Sequence, residues 1–321
     1  MGYKTENINE IENIDASEIF EKAKTTKPFK PKIAWANVLG FLFLHLACLY
    51  GLYLFHRAKF LTLAFGLFLM HLSGLSTTLG AHRLWSHRSY KVTLPLKLIL
   101  LFGFTMAGQN CLWIWVRDHR QHHKYSDTDG DPHNSTRGFF FCHMGWLMVQ
   151  KHPEVIAKGR QIDMTDLNAD PLIMFQKRYY KTLYTLCAVV IPVLIPWYFW
   201  NEDIINSLFI CFFARYVLQL HLTWCVNSVA HLFGTKPYDK RISPVESTFV
   251  SFFGLGEGWH NYHHTFPWDC HAAEFGKHFN LSSRLLTLLE RWGLAYDLKV
   301  VSKQMMINKI TKYGDGTHPV F

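Results

Sequence analysis

Nineteen histidines is a high number for a chain of 321 residues. Nine of them, with one asparagine, fall into clusters that read H-x4-H, H-x2-H-H, N-x3-H and H-x2-H-H. The members are His82, His87, His119, His122, His123, Asn227, His231, His260, His263 and His264. Helix positions i, i+3 and i+4 share a face, so each H-x2-H-H can present three imidazoles together. Imidazole is a good ligand for iron, zinc and copper. Nine imidazoles exceed the four ligands of one tetrahedral site, so the pattern predicts two metal ions.

The clustering favours metal chemistry over a solvated surface. A single H-x2-H-H is often only a hydrated helix face, but two copies together with H-x4-H and N-x3-H, all at one membrane face, would rarely arise by chance. Carboxylates are sparse in the clusters and H-E-x-x-H is absent, which argues against metal-assisted hydrolysis. An all-imidazole pair of metals beside a bilayer suits oxygen chemistry on a lipid-like substrate. His82 and His87 need a helix end or a bend to converge. The isolated His45, His71 and His221 are predicted to be hydrogen-bonded packing residues.

Four apolar runs are long enough to bring these clusters to a membrane surface. Apolar residues make up 49% of the chain and charged residues 18%, below the roughly 25% usual for soluble domains. The runs have about the 20 residues needed to span ~30 Å of hydrocarbon. They cover residues 33–55, 61–81, 182–200 and 204–230. Arg215 is the one charged residue inside them, and it is expected to face protein. The stretch 94–116 has polar interruptions and predicts a re-entrant or interfacial helix.

Pairing of the runs into hairpins divides the chain into five parts. These are a polar cytosolic arm (1–32), a first transmembrane hairpin (33–81), a first cap segment with the interfacial helix (82–181), a second hairpin (182–230), and a second cap segment with the C-terminal tail (231–321). Lys and Arg are concentrated in the arm and the cap, which predicts cytosolic termini. The sequons at Asn134 and Asn280 would then stay unmodified. The predicted fold is an all-α membrane protein with four transmembrane helices in two hairpins and a cytosolic helical cap holding a His-rich dimetal site.

The charge balance has a bearing on partners. Lys and Arg exceed Asp and Glu by enough to give a net charge of +9. Such a charge is compatible with nucleic acid or with an anionic membrane surface. The long uncharged runs favour membrane lipid, and no nucleic-acid partner is expected.

Three motifs give the chain a specific resemblance. G-A-H-R-L-W-S-H at 80–87, D-P-H-N-S at 131–135 and G-E-G-W-H-N-Y-H-H at 256–264 resemble those of integral-membrane acyl-CoA desaturases of the stearoyl-CoA type, most of all the insect members. The similarity covers roughly residues 34–294. It implies an enzyme of the endoplasmic-reticulum membrane with two iron ions held by the nine histidines, and with Asn227 acting through water. It also implies a long-chain fatty acyl-CoA substrate, O2, and electrons from cytochrome b5 and its reductase.

The resemblance implies a substrate site as well. Positions that match the family's contacts to the CoA head and thioester are Asn37, Asn110, Arg117, Asp118 and Lys151. Those around the bend of the acyl tunnel are Gln109, Trp115, Thr223 and Trp224, and those at its far end are Met70 and Gly74. Gln150 stands where vertebrate relatives have a basic residue, so one phosphate contact is expected to be missing. The family's default double-bond position is Δ9, with Δ11 or another position open for an insect-like chain.

Two other functions share part of this pattern. A His-rich di-iron membrane hydroxylase would use the same metal logic but insert oxygen, and it should lack a CoA-phosphate patch. A membrane metal transporter or sensor should carry polar ligands within its spans, near the midplane. The clusters in this chain lie outside the apolar runs, which favours the desaturase.

Overall fold

The computed structural model describes residues 30–274 and 276–319. The predicted polar arm therefore lies outside the described residues, apart from its last three positions. The described chain is mainly helical. Its helices are α1 (Trp35–His56), α2 (Phe60–Ser86), α3 (Leu94–Ala107), α4 (Leu112–Tyr125), α5 (Phe139–His143), α6 (Pro153–Gly159), α7 (Thr165–Asn168), α8 (Pro171–Arg178), α9 (Tyr180–Trp200), α10 (Ile204–Leu232), α11 (Thr248–Phe253), α12 (His260–Thr265), α13 (Leu281–Arg291) and α14 (Lys303–Tyr313).

Helices α1, α2, α9 and α10 are long and apolar enough to cross a membrane, with mean hydropathies of 1.4 to 2.0 over 18-residue windows. This confirms the predicted all-α membrane fold with four spans. Helix α2 continues to Ser86, beyond the predicted end at residue 81, because its polar final turns are buried in protein. Arg215 faces protein, as expected: its Nε donates to the carbonyl of Cys211 (2.8 Å) and it is 3% exposed.

The predicted helix over 94–116 is broken into α3 and α4, which meet at 84°. Gly108 and Asn110 occupy the break with left-handed backbone angles, φ +67° and +79°. A Cβ at Gly108 would lie 2.6 Å from a ring carbon of Tyr184, so only glycine fits there. Because of this bend, α4 leaves the apolar layer and runs into the cap with its three histidines.

The main core of the cap packs the end of α2 against α3, α4, α8 and α13. Its fully buried side chains include Leu79, Phe104, Leu112, Ile173 and Leu286. Each such side chain contributes about 1.5–3 kcal/mol of hydrophobic stabilisation relative to exposure. The strands β1 (Lys91–Val92) and β2 (Ala295–Tyr296) pair antiparallel. They join the segment after α2 to the segment after α13, so the two cap segments fold as one body around the histidines.

Candidate active site

All nine clustered histidines converge in the cap and divide into two groups, whose ligand atoms lie within 4.8 Å of one another inside each group. The first group is His82, His87, His119, His123 and His263, and we call it the five-imidazole group. The second is His122, His231, His260 and His264, the four-imidazole group. The two groups touch, since the rings of His123 and His264 stack with centroids 4.1 Å apart. The arrangement can hold two metal ions side by side.

Each H-x2-H-H contributes to both groups. On α4, His119 and His123 join the five-imidazole group and His122 joins the other. On α12, His260 and His264 join the four-imidazole group, and His263 joins the first. In both helices the residues at i and i+4 belong to the same group, and the residue at i+3 belongs to the other group. Since consecutive residues of an α-helix are 100° apart, positions i+3 and i+4 point in directions that differ by that angle.

Widened helical turns bring His82 and His87 together. Residues Ser76–Ser86 form π-helical turns at the end of α2, and the N–H of His87 donates to the carbonyl of His82 (3.2 Å), an i+5 bond. Such turns place residues five apart on one side. The two rings are 5.0 Å apart between centroids. The π-helical turns therefore supply the change in helix geometry that the H-x4-H spacing predicts.

Three buried carboxylates stand behind the imidazoles. Nδ1 of His122 lies 2.8 Å from Asp131 and Nδ1 of His231 lies 3.1 Å from Asp127. An ionised carboxylate only accepts, so each Nδ1 carries the hydrogen and each Nε2 presents a lone pair to the centre of the site. Nδ1 of His82 is 2.8 Å from Glu257. Carboxylates placed behind histidines in this way orient metal ligands and raise their basicity.

The unsatisfied nitrogens test whether metals fit the site. Nε2 of His231 is buried and has no hydrogen-bond partner among the described residues. Nε2 of His263 lies 2.9 Å from that of His82 and 3.0 Å from that of His123, although one neutral imidazole has a single N–H to donate. Hydrogen bonds between the rings therefore cannot satisfy all of these nitrogens. Metal cations would, and the donor set fits a pair of them.

The electrostatics keep most of the imidazoles neutral. Burial, together with neighbouring imidazoles, holds the pKa values of six histidines well below the usual range: His87, His119, His123, His260, His263 and His264. Burial also disfavours the charged form of His122, but the carboxylate of Asp131 outweighs it and raises the pKa. Burial would raise the pKa of Glu257, whereas His82 and Arg83 lower it to about 2. Neutral imidazole is the form that binds metal.

The sequence reasoning assigned no role to Asp127, Asp131 or Glu257. Asp131 and Glu257 stand within the motifs that carry the family resemblance, so a signal existed. Asp127 lies outside these motifs, so the sequence carries no such signal for it. It lies in the loop after α4, where its Oδ1 accepts from the N–H and the hydroxyl of Ser135. The unassigned His133 also lies close, with its ring 4.4 Å from that of His122.

Two cavities meet beside the imidazoles. Both are lined by Trp115, His119, Thr223 and Asn227. We call the cavity that continues toward Asn110 and Lys151 the outer cavity. The inner cavity continues between α2 and α10. Asn227 lines the inner cavity together with histidines of both groups, so the structure places it beside the imidazoles.

Nine of the eleven residues expected to contact substrate line these two cavities, and Arg117 and Asn37 do not. The outer cavity includes Gln109, Asn110, Trp115, Asp118, Lys151, Thr223 and Trp224. The inner cavity includes Met70 and Gly74. Arg117 lies in an adjoining groove with Lys151, and its Nη2 is 2.6 Å from Asp118. Asn37 is exposed, and its amide donates to the carbonyl of Leu147 (2.7 Å), a residue of the outer cavity.

The isolated histidines of the spans have hydrogen-bond partners, as predicted. His221 bridges His45 and His143 through ring-nitrogen contacts of 3.0 Å on each side. Nδ1 of His71 lies 2.9 Å from the carbonyl of Leu67, but the residue also lines the inner cavity, which the sequence did not indicate.

Comparison with known proteins places this site in a family. The sequence matches the fatty acid desaturase family over residues 58–287. It is 50% identical over 303 residues to the acyl-CoA Delta-9 desaturase of Acheta domesticus, with 94% of this chain and 84% of that protein covered. It is 50% identical over 300 residues to the acyl-CoA Delta12-desaturase of the same organism (93% and 84%). It is 50% identical over 289 residues to the stearoyl-CoA desaturase of Homo sapiens (90% and 80%). The chain therefore belongs to the fatty acid desaturase family.

Proposed function

We propose that this protein is an acyl-CoA desaturase that introduces a double bond into a long-chain fatty acyl-CoA. The observation that carries the proposal is the pair of imidazole groups at the junction of two cavities, in a chain of the desaturase family. In the reaction the acyl chain loses two hydrogens from adjacent carbons. O2 takes these together with two electrons and two protons, and two waters leave with the alkene.

The metal ions in this proposal are two irons, one in each imidazole group. When bound, they supply the oxygen chemistry that breaks an unactivated C–H bond. Asp127, Asp131 and Glu257 keep the ring nitrogens of His231, His122 and His82 oriented toward the centre. Asn227 is proposed to act through water. The apolar lining of the inner cavity excludes bulk water from the reacting carbons.

The CoA end of the substrate is proposed to occupy the mouth of the outer cavity. Arg117 and Lys151 share the carboxylate of Asp118, at 2.6 Å and 2.9 Å. Two cations around one carboxylate leave a net positive charge for the phosphates, and the Arg fork can bind one of them through two hydrogen bonds. Asn37 and Asn110 supply uncharged donors and acceptors nearby.

The bend of the acyl chain is proposed to lie where the two cavities meet. The indole of Trp115 donates to Gln109 (3.1 Å), whose amide donates to Thr223 (2.8 Å). Trp115 also stacks on the ring of His119, with centroids 5.1 Å apart. This chain of contacts fixes the wall around which an acyl chain turns. Placement of two particular carbons against the metals would then decide which bond is oxidised.

The double-bond position in this proposal is Δ9. The Acheta relatives named for Delta-9 and for Delta12 desaturation are both 50% identical to the chain. Overall identity does not separate the two positions, so a few residues along the cavities must decide between them.

The proposal extends to the electron donor and the location. We infer a multi-pass protein of the endoplasmic-reticulum membrane with cytosolic termini, reduced by cytochrome b5 and its reductase.

The sequons cannot test this topology, because Asn134 and Asn280 are buried and accept hydrogen bonds from the backbone as helix caps. A glycosylation acceptor fused after the C-terminus tests it instead. It should stay unmodified in microsomes, and a glycan on it would contradict the orientation.

Expression in a desaturase-deficient yeast tests the function. Mass spectrometry of derivatised fatty acids should detect an alkene and locate it. The His263→Ala variant should yield none, while His56→Ala, an exposed histidine at the α1–α2 turn, should match the wild type. A hydroxylated product would favour the hydroxylase instead. An alkene from His263→Ala would remove that residue from the site.

A further inference from the structure

We propose that Leu255, a residue of the cap rather than of a membrane span, closes the inner cavity opposite Gly74 and thereby limits the length of the acyl chain. The inference rests on the proposed function. It adds to the site a residue that the sequence did not single out and assigns it a share in substrate choice.

The end of the inner cavity is built from three pieces of chain. Met70 and Gly74 come from α2, Gln219 comes from α10, and Phe253 and Leu255 come from α11 and the turn that follows it. Ser73 and Gln219 hydrogen-bond across the two membrane helices.

Leu255 touches the place where a side chain at position 74 would begin. A Cβ built on Gly74 would lie 2.9 Å from Cδ1 of Leu255, closer than real side chains approach, and 3.5 Å from Nε2 of Gln219. The small size of Gly74 suggests an open space beside it, but the structure shows that this space is filled. The methyl of Leu255 fills the volume that the glycine gives up.

The backbone at Leu255 is held in an uncommon conformation that aims this side chain. Its φ is +61°, in the left-handed region that a branched side chain rarely adopts. Its carbonyl accepts from the N–H (3.1 Å) and the hydroxyl (2.7 Å) of Ser282. The N–H of Gly256 donates to the carbonyl of Ser251 (2.8 Å). These hydrogen bonds hold the backbone of Leu255 in a left-handed conformation that an unconstrained loop would rarely adopt.

The same bonds fix the distance from Leu255 to the metal site. Ser282 accepts from Arg83 (2.7 Å), and Arg83 pairs with Glu257 (2.9 Å). Glu257 lies 2.8 Å from His82 of the five-imidazole group. Gly74 is linked to His82 through α2 itself. The distance between the histidine site and the closed end of the inner cavity is therefore fixed by contacts on both walls. A fixed distance is what selection of acyl chains by length requires.

The test measures which chain lengths are desaturated. Yeast expressing Leu255→Ala would be fed a mixture of saturated fatty acids, and the ratio of longer to shorter alkenes compared with the wild type. We expect that ratio to rise about tenfold, the scale on which a pocket discriminates one methylene. Leu288→Ala, the same change on the solvent side of α13, should leave the ratio unchanged. An unchanged ratio in an active Leu255→Ala enzyme would overturn the proposal.

Two further variants keep the test decisive. Leu255→Gly removes the side chain and suits the left-handed backbone, so it guards against misfolding of the alanine variant. As a single substitution, Gly74→Ala should shift the products toward shorter acyl chains. This shift should be smaller in the Gly74→Ala, Leu255→Ala double variant, because the two positions are in contact. Loss of all product from both Leu255 variants, with metal still bound, would also refute a role limited to length. Absence of any alkene from the wild type would instead contradict the proposed function.

Discussion

The two imidazole groups reach comparable sites by different means. The five-imidazole group has one imidazole more, and a single carboxylate, Glu257, stands behind it at His82. The four-imidazole group has fewer imidazoles, but Asp131 and Asp127 orient two of them. Where fewer imidazoles are present, more of them have their tautomer fixed. The two groups therefore differ both in the number of imidazoles and in how many of these are oriented by a carboxylate.

The carboxylates of the two groups are also held differently. Asp127 and Asp131 belong to one loop, whose backbone N–H groups bind them: Asp131 accepts from the N–H of Asp127 (2.9 Å) and of His133 (3.1 Å). Glu257 is paired with the buried Arg83 instead. Loss of Glu257 would therefore strand the buried guanidinium of Arg83, whereas loss of Asp131 would leave two backbone N–H groups and the imidazole of His122 without their acceptor.

Removal of one imidazole from each group has the largest expected effect and probes ligand number. His263→Ala and His231→Ala should each abolish desaturation. His263→Ala leaves four imidazoles in its group and His231→Ala leaves three, so the second variant should lose more iron. Elemental analysis of the purified variants, with His56→Ala as the control, checks this. Equal iron loss would mean that ligand number does not distinguish the groups.

Removal of a carboxylate probes orientation. Asp131→Asn and Glu257→Gln should each weaken metal binding by about 10–100-fold, the usual cost of losing such a partner. Glu257→Gln should also destabilise the fold by roughly 3–5 kcal/mol, because it breaks a buried ion pair. Metal titration and thermal unfolding of the purified proteins measure the two effects. Asp297→Asn, in an exposed pair with Lys91, is the control. Identical unfolding of the Asp131 and Glu257 variants would contradict the distinction.

The smallest effect is expected at Glu246, a buried carboxyl group that belongs to neither imidazole group. Its carboxylate accepts from the N–H of Tyr262 (2.9 Å) in α12, the helix that supplies histidines to each group. Burial raises the pKa of Glu246 to about 7, so its folded form favours the proton. Its stabilising contribution is therefore complete below about pH 4.5 and is lost as the pH rises through 7.

The Glu246→Gln variant keeps an acceptor for Tyr262 and removes the titration. It should be more stable than the wild type at pH 8, on the order of 1–3 kcal/mol, and similar at pH 4 to 5. Iron content should not change in either group. Thermal unfolding at the two pH values checks the sign, and Glu246→Ala, which lacks the acceptor, should be less stable at both. A gain at acidic pH would contradict the assignment.

Much of the fold and the clustering of the nine histidines can be predicted from the sequence. The four uncharged runs predict the spans because crossing hydrocarbon requires about 20 apolar residues wherever they occur. The histidine spacings indicate metal binding because helical periodicity is local. The break at Gly108 was not predicted, since polar interruptions alone do not say whether a helix continues or turns by 84°.

What the sequence determined about this protein is what depends on neighbours along the chain: which histidines cluster at helical spacing, and which segments are long and apolar enough to cross a membrane. Tertiary structure alone decided that His122 joins His231 and His260, that Asp127 stands behind His231, and that Leu255 meets Gly74. Each of these is a contact between segments far apart in sequence. Such contacts follow from how helices pack and how loops are held, and a periodic pattern within one segment carries no information about its partner.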